Sequence, residues 1–147
     1  APLCDAVTAS TASEQALAVA HDNARRLGLE ISLAQGDWWT AAGAARFALA
    51  VCNPPYVAAD DPHLRALRHE PLAALTPGGD GLGALVQVIG GAPAHLLPGA
   101  WLLLEHGHDQ AAAVQALLRA AGFEAVATRR DLAGLPRCTG GRWPAAQ

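Results

Sequence analysis

The sequence predicts an α/β fold with a mostly parallel sheet, and three observations carry that prediction. Short apolar runs and a 3.6-residue helical pattern follow one another in the order strand, helix, strand, strand between Asp5 and Cys52, the rhythm of a parallel sheet with helices on its faces. A later run, Ala100 to Glu105, is continuously apolar rather than alternating, which suits a central strand covered on both sides. The apolar run Phe47 to Cys52 stops abruptly at Asn53-Pro54-Pro55-Tyr56. Ligands of open α/β sheets bind at such carboxyl ends of strands.

Taken in order, Asp5 to Ser10 reads as the first strand, leading into a Ser10-Thr11 turn. Ser13 is placed as the N-cap of a helix whose Leu17, Ala20, Ala24 and Leu27 recur at helical spacing until Gly28 closes it. Ile31 to Ala34 forms a second strand running into Gly36-Asp37-Trp38-Trp39, and Phe47 to Cys52 forms the third. A long polar insertion, Ala59 to Gly81, follows; loops of that length inside a compact domain are usually functional. Leu82 to Leu97 is helical, with a break or kink expected at Gly90-Gly91 and Pro93. Pro98-Gly99 marks a turn before the strand Ala100 to Glu105. His108 or Asp109 starts a helix with an apolar stripe of Ala113, Leu117, Leu118 and Ala121, ended by Gly122. Phe123 to Thr128 and Pro136 to Trp143 are the last strands, joined by a turn at Asp131 to Gly134.

Composition narrows the function. The 147 residues fit one domain, residues 1–147, and 52% hydrophobic against 16% charged content is that of a globular chain with a core. A net charge of −3, with every basic residue an Arg, argues against a nucleic-acid surface, which needs a basic patch to neutralise phosphates. The three cysteines, Cys4, Cys52 and Cys138, lack metal-ligand spacing and read as reduced thiols. No run reads as a membrane span or a basic-then-apolar leader, so a cytoplasmic location is expected. The chain opens Ala-Pro-Leu-Cys and contains no Met, which reads as a piece of a longer chain.

The Asn53-Pro54-Pro55-Tyr56 stretch carries the chemistry. Each proline fixes its own φ, lacks an N–H and pushes the preceding residue out of the helical region, so Asn53 and Pro54 are held extended in a rigid loop. Its carbonyls are not consumed by a helical turn. The Asn53 side-chain oxygen beside the Pro54 carbonyl then makes a pair of acceptors suited to a planar –NH2, whether an amide or an aromatic amine. Tyr56 supplies a flat face for stacking on that group.

This tetrapeptide resembles the signature of methyltransferases that alkylate a planar nitrogen, and the chain is most similar to the release-factor glutamine N5-methyltransferases (PrmC/HemK type). Gly36-Asp37-Trp38, Arg68-His69-Glu70-Pro71 and Leu103-Leu104-Glu105-His106-Gly107 carry the closer match, from about Asp5 to Arg142. The resemblance implies a class I S-adenosylmethionine-dependent methyltransferase fold, a Rossmann-like αβα sandwich with a reversed last strand. It makes the strands found here the second to seventh of seven, with no first strand or Gly-rich loop before Asp5. It implies S-adenosyl-L-methionine as cofactor and a peptide chain release factor as protein substrate, methylated at the glutamine of its Gly-Gly-Gln motif.

Residue by residue, the resemblance gives Asn53, Pro54, Pro55 and Tyr56 to the glutamine side chain, with Asn53 and Pro54 catalytic and Asn53 also counted at the cofactor. Asp37 would accept from the adenine amino group and Trp38 would pack on its ring, while Trp39 is assigned to packing. Thr11 falls where the family usually carries an acidic residue for the ribose hydroxyls; Glu14, one turn on, is the alternative. Arg68 and Glu70, with Asp60 and His63 nearby, either help hold a protein substrate or belong to an exposed polar loop. His106 is expected to be non-catalytic, and no metal site is expected. Two other functions remain open on sequence: an adenine-N6 methyltransferase acting on DNA or RNA, whose target also offers a planar –NH2, and a truncated, non-catalytic domain of this fold.

Overall fold

The computed structural model describes residues 6–145, with His63 and Arg65 described by their backbone alone. Cys4 and the expected strand start at Asp5 lie outside these. The chain forms two compact units, one ending at Ala45 and one beginning at Arg46.

In the first unit, β1 (Thr8–Thr11) and β2 (Ser32–Gln35) pair in parallel, from Thr8 opposite Ser32 to Thr11 opposite Gln35. Parallel neighbours need a crossover, and α1 (Glu14–Leu27) supplies it. The cap residues act as their types dictate. The Ser13 side chain accepts from the Ala16 N–H, and Gly28, at φ 64°, donates back to the carbonyls of Ala24 and Arg25. Both strands sit slightly later than expected, since β1 includes Thr11 and β2 includes Gln35. Of the expected helical stripe only Ala24 is buried, and Leu27 is 70% exposed, because two strands of four residues offer little sheet within the unit to cover a helix face. After β2 the chain makes a tight 3-10 turn, Trp38–Ala42, in which Trp38 adopts a left-handed φ of 47°.

The second unit holds a four-stranded sheet in the order β3-β4-β6-β5, from β3 (Phe47–Cys52), β4 (Leu96–Glu105), β5 (Glu124–Arg130) and β6 (Pro136–Arg142). β3 and β4 are parallel, whereas β6 runs antiparallel to both β4 and β5, so the last strand is reversed as expected. Between β3 and β4 lie a 3-10 turn at Pro62–Arg65, the single turn α2 (Leu72–Leu75) and the longer helix α3 (Gly83–His95); α4 (Ala111–Ala120) connects β4 to β5.

Two local expectations are corrected. No break occurs at Gly90-Gly91, and α3 continues through Pro93 for two more residues to His95, so the bond that the ring forfeits disturbs only the end of the helix. Pro98-Gly99 does not separate turn from strand. β4 begins earlier, at Leu96, and takes up both residues in an irregularity, since Phe47 pairs with Leu96 but Leu49 with Trp101.

The core of this unit is β4 with its two flanking helices. Leu102 and Leu104 of β4, Leu85 of α3, and Val114 and Leu118 of α4 are fully buried, each leucine contributing about 1.5–3 kcal/mol by leaving water. Phe123 and Trp143 close one end edge to face, with ring centroids 5.2 Å apart. Among the described residues no helix is long and apolar enough to cross a membrane. Urea unfolding is expected to show that Leu104→Ala costs about 2–5 kcal/mol, the range for a leucine truncated in a packed core, while Leu132→Ala in the fully exposed β5–β6 turn stays within about 0.5 kcal/mol of the parent.

Candidate active site

β3 and β4 end side by side, Cys52 opposite Leu104, so the residues that follow them emerge from the same end of the sheet: Asn53 to Tyr56 from one strand, Glu105 to Gly107 from the other. The Asn53 side chain is exposed. Pro54 is fully buried, and Pro55 and Tyr56 are half-buried. Among the described residues no hydrogen bond from the protein reaches the Asn53 side-chain amide or the Pro54 carbonyl. Because Pro54 is fully buried, its unpaired carbonyl is not open to solvent. A buried acceptor without a donor is costly, about 1–3 kcal/mol, and such groups concentrate where a ligand supplies the missing partner.

Tyr56 is fixed at both ends. Its hydroxyl donates to Glu105 Oε1 at 2.9 Å, and its carbonyl accepts from Gln110 Nε2 at 3.0 Å. The next residues are tied to the insertion, Val57 N–H to the Leu75 carbonyl at 2.9 Å and Ala59 N–H to the Gly79 carbonyl at 3.0 Å. Burial, then the neighbouring Glu105 carboxylate, push the Tyr56 phenol above its ordinary value, while Arg137 pulls the other way. Burial also pushes the Cys52 thiol up to about 11, so it stays protonated at neutral pH and is no nucleophile. Cys52 and Cys138 are both free thiols.

The remaining expected residues of this unit make no hydrogen bond to Asn53 to Tyr56 among the described residues. Arg68 and Glu70 are exposed; the Arg68 Nε lies 3.5 Å from His69 Nε2, and no hydrogen bond from either reaches Asn53 to Tyr56 among the described residues. Asp60 is exposed, and the side chain of His63 lies outside the description. His106 is fully buried with both ring nitrogens engaged, Nε2 with Thr139 Oγ1 at 2.7 Å and Nδ1 with the Gly107 carbonyl at 2.8 Å, which leaves it no open position for a reacting atom. Gln110 and Thr139 escaped the sequence reading, since a Gln before a helix and a Thr in a strand carry no local signal.

In the first unit, Thr11 ends β1 half-buried, and its Oγ1 accepts from the Ser13 N–H at 3.2 Å, leaving the hydroxyl proton available. Asp37 is exposed, and its carboxylate makes no cap hydrogen bond to the turn that follows. Trp38 and Trp39 are half-buried. An unengaged carboxylate and a partly open indole after the carboxyl end of β2 match an adenine's amino group and ring face, so the donor set present fits an adenosyl group. Among the described residues no group of three or more His, Cys, Asp or Glu side chains could hold a metal ion.

Tyr56 is the only tyrosine, so ultraviolet titration reads it directly. Its midpoint is expected above 10 in the folded protein and near 10 after denaturation, with Glu105→Gln recovering part of the difference. The folded value being the higher one, this phenol contributes stability that is fully present below about pH 10 and is lost as pH rises through the folded value.

No family model matches the chain. Among curated proteins, it is 53% identical over 138 residues to the release factor glutamine methyltransferase of Bordetella pertussis, covering 92% of this chain and 51% of that protein. Further relatives of the same name lie in Xylella fastidiosa and Pseudomonas aeruginosa, and the chain spans about half the length of the curated relatives it matches. Among solved structures, a methyltransferase from Pyrococcus furiosus superposes with a TM-score of 0.67 at 17% identity, covering 96% of this chain and 64% of that one. The release-factor-specific protein-(glutamine-N5) methyltransferase of Alicyclobacillus acidocaldarius gives a TM-score of 0.51 at 24% identity, with 95% and 79% covered. Across the stretch it spans, the chain is a homologue of the release factor glutamine methyltransferases and has the class I S-adenosylmethionine-dependent methyltransferase fold.

Proposed function

We propose that the protein methylates the side-chain amide nitrogen of a glutamine in a peptide chain release factor, the one in its Gly-Gly-Gln motif, with S-adenosylmethionine as donor. The observation that supports this most is the unpaired acceptor pair at the end of β3: the exposed Asn53 amide and the unpaired Pro54 carbonyl. The names of the curated relatives support the substrate class.

S-adenosylmethionine, when bound, supplies an electrophilic methyl group from its sulfonium. An amide nitrogen is a poor nucleophile because its lone pair is spread into the carbonyl. Asn53 and the Pro54 carbonyl accept its two N–H bonds, hold the nitrogen in one orientation and stabilise the positive charge that develops on it. No strong base is needed beforehand; the nitrogen gives up one of its two protons to solvent once the methyl group is in place. The Pro54 carbonyl is buried without a donor from the protein, so accepting from the amide exchanges an unmade hydrogen bond for a made one. Tyr56, its hydroxyl anchored on Glu105, presents its ring beside the planar amide. Asp37 and Trp38 hold the adenine, and the Thr11 hydroxyl donates to the ribose; with no carboxylate at Thr11 the ribose grip lacks the charged component of a bidentate contact.

Methyl transfer assayed with the full-length protein, offering a release factor and duplex DNA side by side, is expected to label the release factor alone. Label on DNA alone would overturn the proposal in favour of an adenine methyltransferase. Asn53→Ala is expected to lower kcat by about 100-fold or more, as when one preorganised group at a reacting centre is removed. Asp37→Asn and Trp38→Ala are each expected to weaken cofactor binding, read by calorimetry, by about tenfold, with kcat at saturating cofactor little changed.

A further inference from the structure

We propose that Gln110 is a positioning residue that sets the Asn53 to Tyr56 loop through the Tyr56 carbonyl, and that Gln110 is itself held in place by a directional chain of hydrogen bonds that runs through the buried pair His106 and Thr139. The proposal rests on those loop residues being the substrate site. All the residues involved belong to the second unit.

The Gln110 amide has only one allowed orientation. Its Oε1 accepts from the Gly107 N–H at 2.9 Å, and its Nε2 donates to the Tyr56 carbonyl at 3.0 Å and leans toward the Asp80 carbonyl at 3.5 Å. A backbone N–H can only donate and a carbonyl can only accept, so flipping the amide would break every one of these contacts. The space for the clasp is reserved by Gly81, at φ 80°: a Cβ there would collide with the Tyr56 carbonyl oxygen and lie 2.9 Å from Gln110 Nε2. The loop needs such a hold. Pro54 and Pro55 have no N–H with which to tie themselves down, so an outside donor must fix the carbonyl that follows them.

Gly107, on which Gln110 leans, is held in turn. Its carbonyl accepts both the Gln110 N–H at 3.0 Å and the His106 ring at 2.8 Å. Because a carbonyl only accepts, His106 carries its proton on Nδ1 towards Gly107, and a neutral ring then accepts at Nε2 from the Thr139 hydroxyl at 2.7 Å. The far end is equally unambiguous. The Arg119 guanidinium, which only donates, reaches Gln115 Oε1 at 3.1 Å, so Gln115 Nε2 donates to Thr128 Oγ1 at 2.8 Å. The one proton of the Thr139 hydroxyl is already given to His106, so at 2.7 Å Thr139 Oγ1 accepts from the Thr128 hydroxyl. With the ring neutral, the hydroxyl protons of Thr128 and Thr139 each have one position, and the chain ties α4, β5 and β6 to the end of β4. His106 and Thr139 are fully buried in it, so breaking one link strands a neighbour without water to replace it.

The test uses the full-length protein and the variants Gln110→Ala and Gln110→Glu, read by steady-state methyl transfer to a release factor and by amide hydrogen exchange. In Gln110→Ala, kcat is expected to fall about tenfold while KM for S-adenosylmethionine stays within about twofold, the pattern for a lost orientation rather than a lost cofactor contact. Exchange is expected to quicken at Tyr56 and Val57 and to stay at the parental rate along β4. Gln110→Glu keeps the acceptor for Gly107 but turns an oxygen on the Tyr56 carbonyl, so it is expected to match the alanine variant and not rescue it. Parental exchange at Tyr56 and Val57, or parental kcat in Gln110→Ala, would overturn the proposal. So would a rise in exchange spread evenly over the second unit, which marks a residue needed for folding alone. If the parent enzyme fails to methylate a release factor, the proposed function fails instead, and the exchange comparison still decides whether Gln110 holds the loop.

Discussion

Two adjacent prolines at the end of an apolar strand deprive the chain of donors at the point where it must be held most firmly. Three parts of the second unit supply the hold instead. The insertion contributes the carbonyls of Leu75 and Gly79, which take the N–H groups of Val57 and Ala59. The neighbouring strand contributes Glu105 to the Tyr56 hydroxyl, and the helix after it contributes Gln110 to the Tyr56 carbonyl. Rigidity of the loop is thus imported from three directions, while the Asn53 side chain and the Pro54 carbonyl are left unpaired among the described residues. Such a division suits a site that works by orientation, because the groups facing a ligand need not rearrange when it arrives.

β4 bridges packing and chemistry. Its inner residues Leu102 and Leu104 are fully buried, and it continues directly into Glu105, His106 and Gly107, which bear on the loop. A buried strand has one arrangement, so the polar groups at its end inherit that arrangement. His106 illustrates the consequence. A histidine beside a candidate active site invites a catalytic role, yet its burial and its two occupied nitrogens make it a strut between Thr139 and Gly107.

Much of this was legible in the sequence where local chemistry is decisive. β3 begins and ends at the expected residues because an apolar run meets Asn-Pro-Pro, and α1 is bounded by Ser13 and Gly28 because each satisfies a helix end in its characteristic way. The reversed last strand followed from the family resemblance, and the antiparallel pairing of β6 agrees with it. What stayed illegible depends on partners distant in the chain. Gln110 and Tyr56 are 54 residues apart, and His106 and Thr139 are 33 apart, so no window of sequence contains either pair. The burial of Pro54 and the passage of α3 through Pro93 were missed for a related reason: local preference gives a cost, and tertiary packing decides whether it is met.

The left-handed backbone at Trp38 sets the two demands on that residue against each other. A non-glycine residue at φ 47° carries a penalty of about 1–2 kcal/mol that a glycine would escape. Selection for heat tolerance alone would therefore drift toward erasing the indole. Its retention would have to be enforced by whatever the ring does, and laboratory evolution run with and without a demand for turnover would separate the two pressures at this one codon.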